Sequence, residues 1–200
     1  DGAKAIGEYT KALELSRASG NRTAEAITLQ NLGAAYHSLR DERKAIGMFD
    51  QALELHRSSG DLRAQAIVLN NLMVSWNILD RPRLATLYGK QAVNILQGLR
   101  GGIRTFDTDI QKSFLSTVDY AYRTLAELLI KQHRYHEAER VIRMLKDEEY
   151  FEFVNRDGSV VASLDDRVSF TASEKTALDL SGSASRDLDT ARKKIEKLEI

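Results

Sequence analysis

The sequence predicts an all-α protein in which antiparallel helix pairs stack side by side as a solenoid. Two observations lead to this fold class: the chain repeats itself at a separation of 40 residues, and its apolar residues recur at steps of three and four. Ala5-Ile6-Gly7 returns as Ala45-Ile46-Gly47, and Ala12-Leu13-Glu14-Leu15 returns as Ala52-Leu53-Glu54-Leu55. Such self-similarity is typical of stacked units that cannot bury their apolar faces alone. An interaction surface is therefore the first functional hypothesis.

Five helices are predicted in the regular repeats, near residues 3–19, 22–39, 42–58, 61–79 and 82–98. The second carries an apolar stripe at steps of three, four and three, formed by Leu29, Leu32, Tyr36 and Leu39. The fourth repeats it with Leu69, Leu72, Trp76 and Leu79. Gly20-Asn21 and Gly60-Asp61 each place a C-terminal glycine before an N-cap residue, and Pro82 suits a first helical turn.

The repeat loses its regularity after residue 98. Gly98–Gly102 predicts a flexible interruption, followed by a long helix over about 106–132 and a partner helix over 135–150. This pair fits a divergent repeat with a lengthened first helix, within residues 104–157. The solenoid is thus expected over 1–157, with its regular repeats at 3–98.

Residues 158–200 are expected to form a connector. Val160, Ala162 and Leu164 alternate with small polar residues, and Asp165-Asp166 then precede Val168 and Phe170. This pattern indicates either a short β-hairpin or an extended tail lying on the last helix. Thr171-Ala172-Ser173-Glu174 is a capping box that predicts a C-terminal helix from about residue 172. Ser181-Gly182-Ser183 is a candidate break in that helix.

Composition and charge exclude several classes of function. Lys+Arg and Asp+Glu both number 29, so a surface that neutralises many phosphates is not expected, and we predict no nucleic-acid partner. The absence of cysteine excludes disulfides, thiolate chemistry and cysteine-ligated zinc, and it fits a reducing, cytoplasmic compartment. No apolar run approaches the ~18 residues of a membrane span. The chain also opens in mid-repeat at Ala5, which is expected of a piece of a longer protein.

The regular repeats resemble the tetratricopeptide repeat. Its pattern is matched in one unit by Leu29, Leu32-Gly33, Tyr36, Ala45, Phe49 and Ala52, and in the next by Leu69, Leu72, Trp76, Ala85 and Ala92. The second unit has Met73 where the pattern expects glycine and Gly89 where it expects an aromatic residue. With six residues more than the usual ~34, the repeats look like those of kinesin light chains and LGN polarity adaptors. The resemblance implies a right-handed superhelix that binds proteins or peptides.

A second resemblance concerns residues 110–157. Leu125–Ala138 and Val141–Phe153, followed by Asn155-Arg156-Asp157, look like the last repeat of bacterial proteins in which tetratricopeptide repeats precede a caspase-like CHAT domain. The resemblance implies a regulatory region whose partner is an adjacent peptidase-like domain. The chain has no cysteine and stops before such a domain, so the His/Cys dyad of that family is not carried over.

Asparagines on the inner helices are the candidate ligand-binding residues. Asn31 and Asn71 occupy equivalent positions, and an amide that both donates and accepts can hold the backbone of an extended peptide. The kinesin light chain and LGN repeats imply the same role for an Asn at this place. Asn70, Asn77 and His37 could line the same concave side. Solvated polar positions, or a bond from Asn31 to a neighbouring repeat, are the alternatives.

No catalytic, cofactor or metal site is predicted. His133 and His136 have the spacing of helix-borne metal ligands but lie at a turn without an evident third ligand. His56 is placed near a helix C-terminus, where the dipole would favour its charge. The leading hypothesis is a non-catalytic scaffold that binds a protein or peptide. A receptor for a short signalling peptide and a structural or oligomerising spacer remain alternatives, and a hydrolase has only scattered Ser, His and acidic residues in its favour.

Overall fold

A computed structural model describes residues 2–99, 108–154, 167–180 and 182, without the side chains of 108–117 and 147–154. Over these residues the chain is all-α and contains no strand, which confirms the predicted fold class. The helices are α1 (Gly2–Ala18), α2 (Arg22–Ser38), α3 (Glu42–Ser59), α4 (Leu62–Ile78), α5 (Pro82–Leu99), α6 (Thr108–Lys131), α7 (Tyr135–Val154) and α8 (172–180). Each of the first seven begins and ends within about four residues of its predicted bounds.

Side-chain caps form at the starts of α2, α3 and α4, two of them at the predicted residues Asn21 and Asp61 and one at Asp41, which the sequence analysis did not single out. The side chains of Asn21, Asp41 and Asp61 accept hydrogen bonds from backbone N–H groups three residues ahead, at 3.0, 3.3 and 3.0 Å. Each cap satisfies one of the donors that a helix leaves without an internal partner. Gly60 ends α3 in the left-handed conformation with φ 73°, as its residue type predicts.

The inner helices α2, α4 and α6 end in one shared way that the sequence analysis missed. Arg40, Asp80 and His133 each adopt a positive φ, between 54° and 61°, without being glycine. In each case the next N–H reaches back to the carbonyl five residues earlier, for example from Asp41 to Tyr36 at 3.0 Å. The same hydrogen bond, from Arg134 N to Leu129 O, identifies α6–α7 as a third helix pair of the repeat. This equivalence aligns Thr124 with Asn31 and Asn71.

Consecutive helices from α1 to α7 pack against each other, and α2 also contacts α4 directly. The buried side chains form two clusters. One lies among α1–α5 around Leu29, Phe49 and Leu72, and the other lies among α4–α7 around Tyr122 and Leu129. Trp76, Tyr88 and Ile95 pack against both clusters, so the apolar core is continuous along the repeats, as a solenoid requires. None of the helices in the described ranges is both long and apolar enough to cross a bilayer.

Met73 and Gly89, the two residues that depart from the repeat pattern, compensate for each other in space. A Cβ added to Gly33 would lie 2.5 Å from the ring of Phe49, and one added to Gly89 would lie 2.5 Å from the sulfur of Met73. Phe49 and Gly89 are equivalent residues, as are Gly33 and Met73. The large side chain therefore comes from the outer helix in one unit and from the inner helix in the next. Both arrangements fill the same space, because interiors pack at nearly constant density.

The chain divides into two units, Asp1–Val168 and Ser169–Ile200. In the second unit the predicted capping box is confirmed: Thr171 N donates to Glu174 Oε2 at 2.8 Å, and Glu174 N donates to Thr171 Oγ1 at 3.3 Å. Most of residues 160–170, for which a hairpin was one alternative, lies outside the described residues, and the described part, residues 167–170, forms no strand. Most of the Gly98–Gly102 interruption and most of the break at 181–183 also lie outside the described residues. Gly98 itself lies in the last turn of α5.

Candidate peptide-binding face

The inner helices present one face that the core does not cover. It runs along α2 and α4 at steps of four, three and four, and we define this A-helix face by Ile27, Asn31, Ala34, Ser38, Ile67, Asn71, Val74 and Ile78. In α6 the equivalent positions are Tyr120, Thr124, Glu127 and Lys131. All twelve residues are half-buried or exposed. The two helices that carry this face, α2 and α4, contact each other.

Large apolar side chains are exposed on this face. Ile27 is 51% exposed, Ile78 54% and Tyr120 50%. None of the eight defining residues in α2 and α4 carries a charge. Exposed apolar side chains in a shared stripe are a feature of protein interaction sites. The sequence analysis missed these residues, although they share one helical stripe with the asparagines that it singled out.

Asn31 and Asn71 lie in the middle of the A-helix face. Both side chains are half-buried, and neither amide forms a hydrogen bond to any other residue that the structure describes. Each therefore has a donor and an acceptor available. These two predicted residues lie at matching positions of α2 and α4, two helices that contact each other.

The other three predicted residues have different surroundings. Asn70 is only 8% exposed, and its Oδ1 atom has no hydrogen-bond partner among the described residues. Asn77 is exposed in the last turn of α4. The Nδ1 atom of His37 lies 3.0 Å from Oε1 of the buried Glu42, at the turn into α3, so this ring is already engaged within the repeat. Of these three, Asn77 alone is exposed.

An asparagine that the sequence analysis missed binds a peptide backbone in this structure. Asn94 of α5 accepts a hydrogen bond from Val168 N at 2.8 Å and donates one to Val168 O at 3.0 Å. The backbone of Val168 is bound by α5, and its side chain joins the apolar cluster among α4–α7. Most of the tail that the extended-tail alternative concerns lies outside the described residues. A polar residue within the apolar run Ala92-Val93-Asn94-Ile95-Leu96 was the available signal.

Several ionisable groups have shifted pKa values, but none of them lies on the A-helix face. Desolvation raises the pKa of Asp50 on α3 to about 6, with Arg57 opposing it, although Asp50 remains an exposed residue overall. Burial, reinforced by the charge of Asp50, raises the pKa of Tyr88 to about 12. The described residues include no cluster of acidic and histidine side chains that could hold a metal ion. His133 instead contacts the hydroxyl of Tyr135 at 2.8 Å.

His56 is a buried histidine whose environment corrects the expectation from the helix dipole. It lies in the last turn of α3 but is only 4% exposed, and its Nε2 atom has no partner among the described residues. Burial lowers the pKa of His56, and the nearby charge of Asp61 only partly opposes this. Desolvation is the largest cause of this shift, because charging a buried ring whose Nε2 atom has no hydrogen-bond partner is costly.

We expect this imidazole to make the protein sensitive to mild acid. The folded pKa lies below the unfolded value of 6.5, so its contribution to stability is full above pH 6.5 and is lost as pH falls through the folded pKa. Between about pH 7.5 and 5.5, the wild-type midpoint of urea unfolding should fall further than that of His56→Leu. The exposed His136→Leu serves as the matched control and should retain the wild-type profile. Identical profiles for wild type and His56→Leu would contradict this expectation.

Comparison with known families agrees with this architecture. Residues 1–58 match the family model of the tetratricopeptide repeat. The search of curated proteins finds no match to this chain. The matched stretch covers α1, α2 and most of α3, the helices in which the repeat pattern is most regular. With this match at its N-terminal end and stacked helix pairs over its described residues, the chain is an all-α helical-repeat solenoid of the tetratricopeptide type.

Proposed function

We propose that this chain is a non-catalytic scaffold whose A-helix face holds an extended segment of a partner protein. The observation that carries the proposal is the pair Asn31 and Asn71, whose amides stand at equivalent positions without hydrogen bonds to other described residues. Tetratricopeptide repeats generally mediate protein–protein interaction, which supports this role.

The chemistry of the face indicates what kind of segment it would take. An Asn amide can bind the N–H and C=O of one residue at once, so two amides hold an extended backbone with little regard for its side chains. Exposed apolar side chains beside them, such as Ile27 and Ile78, favour aliphatic or aromatic residues in the partner. The face lacks charge along α2 and α4, so an uncharged internal segment fits it better than a terminal carboxylate.

We also propose a biological context for this binding. The resemblance of residues 125–138 and 141–153 to the repeat that precedes CHAT domains supports a regulatory region in the cytoplasm of a bacterium. In this context the bound partner would control an adjacent peptidase-like domain of the full-length protein. Any hydrolysis would belong to that domain and not to the repeats.

Removing both amides tests the proposal. A phage-displayed library of random peptides is selected on the purified chain, and the affinity of an enriched peptide is measured by calorimetry. We expect Asn31→Ala combined with Asn71→Ala to weaken binding about 10- to 100-fold, because each amide provides one or two backbone hydrogen bonds. Asn77→Ala should have a smaller effect, since this residue lies outside the defining stripe.

Two controls separate this mechanism from others. Glu14→Ala changes an exposed residue on α1 and should leave the affinity unchanged. Methylation of the backbone nitrogen that faces an asparagine should weaken the peptide as much as the protein variant does. Unchanged affinity in the folded double variant would exclude Asn31 and Asn71 as the binding residues. A peptide whose binding depended on one charged side chain alone would contradict recognition through the backbone.

A further inference from the structure

The turns that lead from the inner to the outer helices carry an excess of exposed arginine. We define the turn edge by Arg40 and Arg43, where α2 turns into α3, and by Arg81 and Arg83, where α4 turns into α5. All four side chains are exposed. Arg43 and Arg83 are equivalent residues of their units, and α7 has the exposed His136 at the same place. Three consecutive units therefore keep a basic residue type at one position of this edge.

Consecutive outer helices lie side by side, so their first turns share the same edge of the solenoid. Arg57 of α3 donates a hydrogen bond to Gln91 of α5 at 3.1 Å, and the equivalent pair, Arg17 and Gln51, joins α1 to α3 at the same distance. Both bonds connect residues 34 apart in the chain, so successive outer helices are offset in the same way. An arginine repeated at one position of the unit therefore becomes a row of arginines along the edge.

The acidic residues near the turn edge do not neutralise it. Asp41 pairs with Lys44 at 2.8 Å, and the buried Glu42 is engaged by His37. The four arginines form no ion pair with any residue that the structure describes. Within the same two turns, Asp80 is the one carboxylate left outside such pairs in the described part of the chain. Four guanidinium groups are thus accompanied by a single available carboxylate.

Three of these arginines occupy positions that do not favour them for stability. Arg43 and Arg83 lie in the first turns of α3 and α5, where the helix dipole favours acidic residues, and α5 has no acidic residue there. Arg40 has a positive φ of 61°, a backbone conformation that glycine adopts at lower cost. Residues that depart from local preferences without forming compensating contacts in the fold are typical of functional surfaces.

We infer that the turn edge binds an acidic segment of a partner protein that extends across two repeats. The fork of a guanidinium group matches a carboxylate through two parallel hydrogen bonds, so each arginine can hold one Asp or Glu side chain. A short acidic segment fits this edge better than a nucleic acid. The whole chain has 29 basic and 29 acidic residues, so the positive excess is local and does not extend along a long polyanion. The turn edge shares no residue with the A-helix face, and its role does not depend on the function proposed for that face.

Binding of a synthetic acidic peptide tests the inference. A fluorescent peptide of about ten residues, which alternates Glu and Ser and can span two repeats when extended, is titrated against the full chain at low ionic strength. Fluorescence polarisation measures the affinity. Arg43→Glu combined with Arg83→Glu should weaken binding at least about tenfold, because the peptide carboxylates then meet like charges. The urea midpoint of this variant should stay at or above that of wild type, since a glutamate suits the first turn of a helix.

A second charge reversal, Lys11→Glu combined with Arg57→Glu, is the matched control. It changes the net charge by the same amount, on exposed residues of α1 and α3 outside the turn edge, and should leave the affinity within about twofold of wild type. Equal losses in the two double variants would indicate a general effect of net charge and would overturn the inference, as would the absence of peptide binding by the wild-type chain. Asn31→Ala with Asn71→Ala should bind the acidic peptide as wild type does, so that failure here and failure of the proposed function are distinguishable.

Two further measurements address the kind of ligand and the role of Arg40. An oligothymidine with the same number of negative charges should bind more weakly than the peptide, and equal or tighter binding would identify a nucleic-acid surface and overturn the inference. Arg40→Gly should raise the urea midpoint, because glycine adopts a positive φ at lower cost, and should weaken binding of the peptide. A stabilised Arg40→Gly variant with unchanged peptide affinity would contradict the turn edge as defined.

Discussion

Gly33→Met is expected to destabilise the protein by about 2–3 kcal/mol, a typical cost of overpacking a filled interior. The added Cβ would lie 2.5 Å from the ring of Phe49, and both residues are buried between α2 and α3. The better helix propensity of methionine offsets only about 1 kcal/mol of the cost of the clash. Urea unfolding followed by circular dichroism measures the change.

The second repeat supplies the compensating substitution. Phe49→Gly alone should cost about 4–5 kcal/mol, since it combines a large cavity with a helical glycine. Gly33→Met and Phe49→Gly together recreate the Met73 and Gly89 arrangement, so their effects should fall short of the sum by about 1–3 kcal/mol. Additive effects would mean that the two units do not fill equivalent space.

Gly47→Ala is the matched control for substituting a helical glycine. This residue lies in α3, and no atom lies within 4 Å of an added Cβ. Relief of the conformational entropy of glycine should therefore stabilise the protein by about 0.5–1 kcal/mol. Destabilisation by Gly47→Ala would show that something other than the contact with Phe49 makes these helices intolerant of side chains.

Glu137→Leu should be the most damaging change at a charged residue that the structure describes, with an expected loss of about 3–5 kcal/mol. The ammonium of Lys90 is fully buried and pairs with Glu137, joining α5 to α7. Arg134 also binds this carboxylate, at 2.7 and 2.9 Å. Removal of Glu137 takes the carboxylate away from an ammonium that has no access to water.

The loss of stability in Glu137→Leu should come from the charge of Lys90 and not from a change in packing. Lys90→Met combined with Glu137→Leu is expected to recover most of the stability, because an apolar pair avoids the cost of desolvating two ions. The preceding unit already has a leucine, Leu84, where α7 has Glu137. Glu139→Ala is the control: it breaks an exposed pair with Arg143 on the same helix and should cost at most about 0.5 kcal/mol. A double variant no more stable than Glu137→Leu would contradict this account.

The same pair gives an acid dependence with a defined sign. Burial acts to raise the pKa of Glu137, but hydrogen bonds from Arg134 and Lys90 outweigh it and lower the pKa below the usual 4.5. Its contribution to stability is therefore full above pH 4.5 and is lost as pH falls through the lowered value. The loss from Glu137 begins below pH 4.5 and the loss from His56 begins below pH 6.5, so a pH series separates the onsets of the two effects.

Local signals predicted most of the helical framework. Asn21, Asp41 and Asp61 cap their helices as their residue types indicate, and Thr171 with Glu174 forms the expected capping box. These contacts join residues three apart, so their energies are set within a single turn. The left-handed ends at Arg40, Asp80 and His133 were not predictable in this way, because Arg does not favour a positive φ and even Asp and His adopt one in only a small minority of cases.

The candidate binding residues were predictable only in part. Equivalent positions in a repeat identified Asn31 and Asn71, but exposure separated them from the nearly buried Asn70 and the paired His37. The apolar residues beside them went unnoticed because a Leu or Ile in a helix is read as core until its neighbours are known.

By itself, the sequence determined the all-α class, the helix bounds and the positions at which repeats correspond, since these follow from periodicity and caps within one or two turns. Only the tertiary structure decided that Phe49 fills, in one unit, the space that Met73 fills in the next. It also decided which carboxylate neutralises Lys90 and where Val168 lies. Each of these contacts joins residues far apart in the chain or in different repeats. Their energies depend on distance and on exclusion from water, which packing sets and local sequence does not encode.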